Sequence, residues 1–271
     1  MLSRKFFSVA LIGAATLTTA GAHAATLRVC ADPDYLPYSN RTGQGFENQI
    51  AEAVAKSLGD KLQYTWASYR GHGGFSQFLA DTLDAGKCDV VMDIPYGNRD
   101  ELTTKPYYVS SYVFVFKKDR HYDLANMDAP ILRTIKVGYE EGTPPETGLK
   151  LRGLLFKSTR FAVGDKEGAS PTSVLDAVRD GRVDVAITWE PSIGAFLSRY
   201  PDLAVVAVPN ERATGSPEQY SFPMSMGVRE SDTALQQRLD KVISEHHGEL
   251  KTILKDHGVK LYVPEDEPAR L

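Results

Sequence analysis

Chemically capable side chains follow two short apolar runs of the sequence, residues 90–92 and 185–187. Asp93 comes after the first run, and Trp189 and Glu190 come shortly after the second. Carboxylates in a cleft can carry acid–base chemistry when their pKa values are perturbed, and aromatic rings supply contact area at a low entropic cost. Asp93 and Glu190 are therefore candidate charged walls of a binding site, although two solvated carboxylates explain them equally well.

The two runs belong to a pattern that occurs twice. Residues 83–92 and 178–187 each read as the end of a helix, a glycine, a basic residue, an aspartate and a short apolar strand. Two α/β lobes built on this plan would place the carboxyl ends of their strands at a crevice, where open α/β sheets bind ligands. We therefore predict an α/β fold with two lobes and a cleft between them. Residues just beyond both strands, including Tyr96, are candidates for the cleft walls.

The N-terminus has the layout of a secretory signal peptide. Arg4 and Lys5 precede an apolar run over residues 6–17, and the triplet Ala22-His23-Ala24 follows. A membrane anchor would need roughly twenty apolar residues, so we expect residues 1–24 to be removed on export, and no later segment could span a bilayer. Cleavage removes two positive charges and no negative ones, which lowers the formal charge from −4 to −6. This balance argues against a nucleic-acid partner.

An exported chain meets an oxidising compartment, where cysteines can pair. Cys30 lies in the first predicted strand, and Cys88 opens the first repeat strand. If the two strands are neighbours, a Cys30–Cys88 disulfide would close a loop of about 58 residues and stabilise the fold by roughly 4 kcal/mol in the chain-entropy model. Two free buried thiols, or a pair of metal ligands, are the alternatives.

Residue patterns typical of catalysis are missing from the sequence. It contains no nucleophile elbow, phosphate-binding loop or dinucleotide-binding fingerprint. The histidines beyond the signal peptide lack a zinc-binding spacing; they are His72, His121, His246, His247 and His257. We therefore predict no catalytic residue, no metal and no cofactor.

The hydrophobic pattern predicts alternating strands and helices. A helix begins at Gly45-Phe46-Glu47, carries Ile50, Val54 and Leu58 at every fourth position, and ends at Gly59. The alternation predicts a parallel sheet. Strands are predicted over residues 27–30, 61–66, 88–92, 107–118, 135–139, 157–161, 183–188, 203–208 and 223–229.

The C-terminal part is predicted to return to the first lobe. Ser231 is a natural N-cap for a long amphipathic helix, and a second helix is expected over residues 249–257. Another helix should be capped by Ser170, with Pro171 at its first position. We expect residues 25–116 and 226–271 to form lobe one and residues 117–225 to form lobe two, with separate sheets and with hinges at the two crossings.

Over nearly the whole mature chain the sequence resembles the type II periplasmic solute-binding proteins. The resemblance is carried by the order of several weak motifs: Tyr35-Leu36-Pro37-Tyr38, Gly45-Phe46-Glu47, Pro106-Tyr107-Tyr108, Gly142-Thr143, Gly181-Arg182-Val183-Asp184 and Met226-Gly227-Val228-Arg229. It implies the two-lobed fold of that superfamily and a periplasmic location.

A narrower resemblance is to the quinoprotein-dehydrogenase-associated binding proteins, the J-type accessory proteins of bacterial methanol oxidation (MxaJ and XoxJ). It is carried by residues 27–33, 45–48, 86–92, 102–108 and 111–115. The resemblance implies a non-catalytic periplasmic protein associated with a pyrroloquinoline-quinone (PQQ) methanol dehydrogenase and its cytochrome c acceptor. It does not imply that the chain binds the quinone itself.

The sequence departs from the amino-acid-binding members of the superfamily at two positions. Those members carry an Arg that pairs with the ligand carboxylate, and Arg99 lies two residues closer to the Pro106-Tyr107-Tyr108 motif than that Arg does. They also carry an Asp that takes the ligand ammonium, where this sequence has Trp189. Because a bidentate clamp requires accurate placement of the guanidinium, the resemblance implies that the amino-acid site is lost. This difference favours the interpretation of Arg99 as an exposed ion-pair partner over that of a ligand clamp.

The resemblance also places aromatic residues in the cleft. Tyr35 and Tyr38 stand where relatives stack a ring on the ligand, and Trp189 would face them from lobe two. Such a pocket suits an apolar group or a partner's side chain, and the alternative is that Trp189 is core filler. The predicted cleft residues are Tyr35, Tyr38, Asp93, Tyr96, Arg99, Thr143, Trp189 and Glu190.

Three functions are compatible with these observations. The first is an accessory protein that engages a methanol dehydrogenase during its maturation or activation. The second is the substrate-binding subunit of an ABC importer, which would hold a small ligand in the cleft. The third is an enzyme, such as a cyclohexadienyl dehydratase, which would need a cleft carboxylate beside a cationic anchor, and Arg99 is the only obvious anchor.

Overall fold

The computed structural model describes residues 25–70, 73–162, 169–211 and 217–263. The predicted signal peptide, His72 and the residues from Pro264 onward lie outside this part of the chain. The strands are β1 (Thr26–Ala31), β2 (Asp34–Tyr35), β3 (Ser39–Asn40), β4 (Lys61–Trp66), β5 (Val90–Pro95), β6 (Leu102–Thr103), β7 (Tyr108–Lys117), β8 (Val137–Glu140), β9 (Thr159–Phe161), β10 (Val185–Trp189), β11 (Leu203–Ala207) and β12 (Ser221–Val228).

The α-helices cover the strands and connect them. They are α1 (Phe46–Leu58), α2 (Gly74–Asp81), α3 (Pro144–Leu151), α4 (Ser173–Arg179), α5 (Glu190–Gly194) and α6 (Thr233–Asp256). None of these helices combines the length and the apolar character that a membrane crossing requires.

The main sheet has the strand order β4-β1-β5-β12-β7-β10-β8-β9, with β11 beside β7 and β6 beside β12. β1 runs parallel to β4 and β5, and β8 runs parallel to β9 and β10. The parallel pairing predicted from the strand–helix alternation is therefore confirmed on both sides of the sheet. β7 and β12 are antiparallel to their neighbours, because each crosses between the two halves.

The expectation of two separate sheets is wrong. The first half of β7 pairs with β12, through residues 108–111. The second half pairs with β10 and β11, through residues 112–117. Because this ten-residue strand pairs with strands of both halves, the hydrogen-bond ladder continues from one half of the molecule into the other.

The buried side chains nevertheless fall into two groups of clusters. One group draws on residues 27–108 and 224–259, and the other draws on residues 113–220. The lobe boundaries stay a prediction: lobe one denotes residues 25–116 and 226–271, and lobe two denotes residues 117–225.

Helix α1 confirms its predicted bounds, and Gly59 ends it with a positive φ of 70°. Two predicted caps are wrong. Helix α4 begins at Ser173, because the Ser170 carbonyl accepts the Ser173 N–H in a turn before the helix. Helix α6 begins after Asp232, whose carbonyl accepts the first helical bond from Gln236. The two predicted C-terminal helices form one run that is interrupted by non-helical angles at His246.

The predicted disulfide is present between Cys30 and Cys88. Cys30 lies in β1 and Cys88 lies just before the neighbouring parallel strand β5, and their Cα atoms are 5.5 Å apart. Both residues are buried in a cluster with Leu83 and Val91. The bridge therefore ties the centre of lobe one together inside its core.

Candidate functional site

Two adjoining cavities lie where the two halves of the molecule meet. An outer cavity of about 580 Å³ is lined by Tyr35, Tyr38, Pro95, Tyr112, Glu140, Glu141, Gly142, Thr143, Pro144, Trp189, Ser192, Phe222 and Met224. An inner cavity of about 240 Å³ shares five of these residues and adds Glu47, Tyr69, Phe75, Met92 and Asp93. The shared residues are Tyr35, Tyr38, Pro95, Trp189 and Met224, so the two spaces are parts of one cleft.

The loop that carries Tyr35 and Tyr38 is held against the start of α1. The first N–H groups of that helix, at Phe46 and Glu47, donate to the carbonyls of Pro37 and Tyr38 at 3.0 Å each. This contact requires glycine at position 45, because a Cβ there would lie 1.9 Å from the Tyr38 carbonyl oxygen. The backbone N–H groups at the start of α1, which have no partner within the helix, are thereby satisfied. The same contact brings the Tyr38 ring and the Glu47 carboxyl to one cavity.

Aromatic rings form most of the cleft wall. Tyr35 and Tyr38 stack with their ring centroids 4.8 Å apart and their planes within 10°. Across the cleft, Trp189 lies 5.1 Å from the Tyr112 ring and 6.0 Å from the Phe222 ring. Tyr35, Tyr38 and Trp189 line both cavities, and the facing of the two tyrosines by Trp189 stays a prediction.

Contacts between the two halves close the cleft. The hydroxyl groups of Tyr38 and Ser192 are 2.8 Å apart and share a hydrogen bond. Trp189, at the end of β10, packs against the hydrophobic cluster of lobe one. The Tyr38 loop of lobe one and the start of α5 in lobe two are therefore joined directly across the cleft.

Two carboxyl groups face the inner cavity. Asp93 has a positive φ of 59°, and its carboxylate accepts a hydrogen bond from the Tyr108 hydroxyl. Burial raises the pKa of Asp93 to about 7, although the bond from Tyr108 opposes the shift. Burial also raises the pKa of Glu47 well above its usual value, and the charges of Asp93 and Asp32 raise it further.

The acidic groups of the outer cavity have partners. Glu140 is buried and accepts a 2.9 Å hydrogen bond from the Thr188 hydroxyl. Glu141 pairs with Arg160 at 3.0 Å. Thr143 donates its hydroxyl to the Glu140 carbonyl at 2.5 Å, which places the predicted residue Thr143 at the cavity wall in a structural bond.

Three predicted cleft residues do not line either cavity. Tyr96 is 57% exposed, because β5 has ended and the chain turns outward to bond Pro223. Arg99 borders a separate surface depression with Asp100 and Arg229, as expected of an exposed residue rather than a ligand clamp.

Glu190 is the third of these residues. It opens α5, where the chain changes direction, so its side chain points away from that of Trp189. It is 1% exposed, and both of its carboxylate oxygens accept the backbone N–H of Lys260, at 3.0 and 3.1 Å. Burial raises the pKa of Glu190 to about 8.

Several cavity residues escaped the sequence analysis. Tyr112 and Phe222 belong to the paired crossing strands β7 and β12, and only that pairing brings their rings together. The burial of Glu47 could have been predicted from the sequence. Glu47, Ile50 and Val54 occupy the i, i+3 and i+7 positions of the predicted helix and so share its apolar face. A carboxylate on an apolar helix face indicates a buried acid.

The arrangement limits what the cleft can bind. Among the described residues that line the two cavities, none is Lys, Arg or His. Across the described ranges, no three His, Cys, Asp or Glu side chains are grouped so that they could hold a metal ion. The described part of the cleft therefore offers aromatic faces and carboxylates, without a Lys, Arg or His to pair with a ligand carboxylate.

Comparison with known proteins identifies relatives over most of the chain. The bacterial extracellular solute-binding proteins, family 3, match residues 27–259. The chain is 31% identical to Protein MoxJ of Methylorubrum extorquens over 251 residues, which cover 87% of this chain and 81% of that protein.

Solved structures of J-type proteins also resemble this chain. The crystal structure of MxaJ from Methlophaga aminisulfidivorans MPT is 25% identical, with a TM-score of 0.77 over 87% of this chain and 100% of that chain. The periplasmic binding protein XoxJ from Methylobacterium extorquens AM1 is 29% identical, with a TM-score of 0.69 over 88% of this chain and 100% of that chain. The predicted resemblance to the J-type proteins and the predicted α/β fold class are confirmed.

Proposed function

This chain belongs to family 3 of the bacterial extracellular solute-binding proteins, and we propose that it is a non-catalytic periplasmic accessory protein of methanol oxidation. In this role it engages a PQQ-dependent methanol dehydrogenase during maturation or activation of that enzyme. The observation that carries the proposal is the similarity to MxaJ over the whole length of that protein. The J-type resemblance in turn implies association with the dehydrogenase and its cytochrome c.

The chemistry of the cleft supports this role over amino-acid transport. No guanidinium lines either cavity among the described residues, so a ligand carboxylate has no partner there. By the resemblance, Trp189 takes the position of the ammonium-binding Asp, and its ring lies against those of Tyr112 and Phe222. An aromatic wall of this kind suits a protruding side chain of a partner protein.

Affinity capture from periplasm tests the proposal. The exported protein, tagged at its C-terminus, should retain the dehydrogenase from a methanol-grown periplasmic extract, with or without PQQ in the enzyme. A strain lacking the protein should grow poorly on methanol and should contain dehydrogenase with reduced quinone and metal occupancy. Normal growth, together with no retention and no change in light scattering when both proteins are mixed at high concentration, would contradict it.

A second candidate is an ABC-importer binding protein, which the outer cavity of about 580 Å³ between the two halves favours. A ligand that binds only the folded state raises the melting temperature in proportion to the logarithm of its concentration above Kd. A panel of periplasmic solutes should therefore shift the melting temperature under the importer hypothesis. The accessory hypothesis predicts stabilisation by the dehydrogenase itself.

A further inference from the structure

Glu47 is buried against the inner cavity, and its carboxylate has no hydrogen-bond partner within the described ranges of the chain. Only 5% of its surface is exposed, it lines the inner cavity, and its carboxylate makes no hydrogen bond or ion pair with any described residue. A buried carboxylate without a partner is strongly unfavourable in its charged form. The site is therefore incomplete unless a proton or a cation is supplied.

Asp93 faces the same cavity from β5. Its φ of 59° lies in the left-handed region, which a residue with a side chain adopts at an energetic cost. Such strain persists where the surrounding structure fixes it, and it concentrates at functional sites. The Tyr108 hydroxyl holds the Asp93 carboxylate in place, so two carboxyl groups converge on one small space.

Aromatic rings enclose the space around these two acids. Tyr69 meets the Tyr35 ring edge-on at 5.4 Å, Tyr35 stacks on Tyr38, and Trp189 closes the side towards the outer cavity. Ring faces attract cations, and desolvation strengthens the attraction. The described lining contains no Lys, Arg or His that could neutralise the acids.

We propose that the inner cavity binds a single organic ammonium group, with Glu47 and Asp93 as its counter-ions and with the rings of Tyr35, Tyr38, Tyr69 and Trp189 as its cage. A volume of about 240 Å³ accommodates the ammonium group with a short alkyl chain. Because no Lys, Arg or His is found among the described lining residues, the proposed ligand carries an ammonium group and no carboxylate. The site does not depend on the identity of the protein partner proposed above.

Two sources could supply the ammonium group. One is a free alkylamine that enters through the outer cavity, and the other is a lysine side chain of a partner protein. The probes that represent them are n-butylammonium and N-acetyl-lysine-methylamide, both without a carboxylate. Binding of n-butylammonium alone indicates a diffusible amine, and binding of both probes indicates a site that also accepts a lysine side chain; either outcome supports the proposal.

Isothermal titration calorimetry of the exported protein provides the test. n-Butylammonium should bind with a stoichiometry near one, whereas n-butanol and butyrate should bind at least tenfold more weakly. If n-butanol binds as tightly as n-butylammonium, or if neither ammonium probe binds, the proposal is wrong.

Isosteric variants assign the binding to the two acids. Glu47→Gln and Asp93→Asn should each weaken n-butylammonium binding at least tenfold, and Asn tolerates the left-handed backbone of position 93. The matched control is Glu52→Gln, which removes an exposed carboxylate from the same helix, α1, outside both cavities and should change the affinity less than twofold. Urea midpoints within the range of the control establish that the variants are folded. Unchanged affinity in both folded variants would overturn the assignment.

Proton release gives an independent readout. The titratable groups around the two acids are Asp32, Tyr35, Tyr38, Tyr69, Tyr107 and Tyr108. Because the pKa values of Glu47 and Asp93 are raised, a bound cation should drive protons off them at pH 7. Titrations in buffers of different ionisation enthalpy should therefore report proton release that is absent in the Glu47→Gln, Asp93→Asn double variant. Binding without any release would contradict the counter-ion role.

Discussion

Glu190 is buried in the first turn of α5, and the Lys260 N–H is the one donor to its carboxylate among the described residues. The other titratable groups that face it are the Lys260 ammonium and the Tyr262 hydroxyl. Burial raises its pKa to about 8, so the folded state binds a proton that the unfolded state has already lost at pH 7. The charge on this residue therefore opposes folding as the pH rises.

We predict that Glu190→Gln becomes more stable than the wild type as the pH rises from about 5 to about 8. A carboxyl group with a raised folded-state pKa loses stability across the interval between its unfolded and folded pKa values, by up to about 1.4 kcal/mol per pH unit. The difference in the free energy of unfolding should grow over this interval and level off above it. Urea denaturation at pH 5, 6, 7 and 8 measures the difference.

Glu230→Gln, which changes an exposed glutamate, is measured in parallel as the control for this prediction. A Glu190→Gln difference that does not change with pH would contradict the raised pKa of Glu190.

At the residue scale, the sequence predicts which residues follow a strand and leaves open where their side chains point. Trp189 and Glu190 were both expected in the cleft because they follow one apolar run. The change from β10 to α5 occurs between them, so the first side chain enters the cavity and the second enters the core. The turn geometry depends on tertiary packing, which hydrophobic periodicity does not contain.

At the element scale, the disulfide joins two neighbouring strands across 58 residues. Replacing both cysteines with alanine should lower the free energy of unfolding by roughly 4 kcal/mol, because the unfolded chain regains loop entropy. Urea midpoints of the oxidised wild type and the double variant measure the loss. The urea midpoint of the reduced wild type should match that of the variant. Equal stability of the oxidised and the reduced protein would show that the disulfide does not stabilise the fold.

A buried ion cluster holds the end of α3 in lobe two. Arg152 pairs with Asp128 at 2.8 Å, with Glu211 at 2.9 Å and with Glu218 at 2.6 Å. Its side chain is 3% exposed, so the cluster connects the helix end to two chain segments that are distant in sequence.

Arg152→Met should destabilise the fold by about 3–5 kcal/mol, because it removes the cation that compensates the buried charges of Glu211 and Glu218. The control is Arg160→Met, which removes the exposed pair with Glu141 and should cost about 1 kcal/mol or less. Chemical denaturation at pH 7 compares the two variants. Similar losses in both would show that burial of the cluster has little energetic consequence.

Local signals account for most elements, and the exceptions are long-range. Periodicity and a terminal glycine gave α1 its bounds, while β7 was expected to leave lobe one and was not expected to extend one sheet through both halves. That outcome depends on the pairing of residues 108–111 with residues 221–224, which are separated by more than a hundred positions. Helix caps at Ser170 and Ser231 failed because neighbouring residues made competing turn bonds.

At the scale of the whole molecule, the repeated pattern predicted two α/β halves, and the order of motifs predicted the family. The closed cleft was less accessible to prediction, because its walls come from β7, β10, β12 and the Tyr38 loop together. The contact between Tyr38 and Ser192 joins residues that are 154 positions apart. The proposed function depends on the aromatic cleft wall, which both halves build.

The central claim is that this cleft wall engages a methanol dehydrogenase. Trp189 tests it, because this residue lines both cavities, and Trp66 offers a matched control that stacks on Tyr64 in β4. Trp189→Ala should retain most of its stability, since Trp189 is partly exposed to the cavity space. A core tryptophan would instead lose about 3 kcal/mol or more of folding free energy.

The decisive measurement is the Kd between the exported protein and purified PQQ-dependent methanol dehydrogenase, determined by calorimetry for the wild type, Trp189→Ala and Trp66→Ala. The account predicts that Trp189→Ala weakens binding by about 2 kcal/mol, which is roughly 30-fold, while Trp66→Ala binds as the wild type does. Failure of the wild type to bind, or equal binding by a stable Trp189→Ala variant, would contradict it.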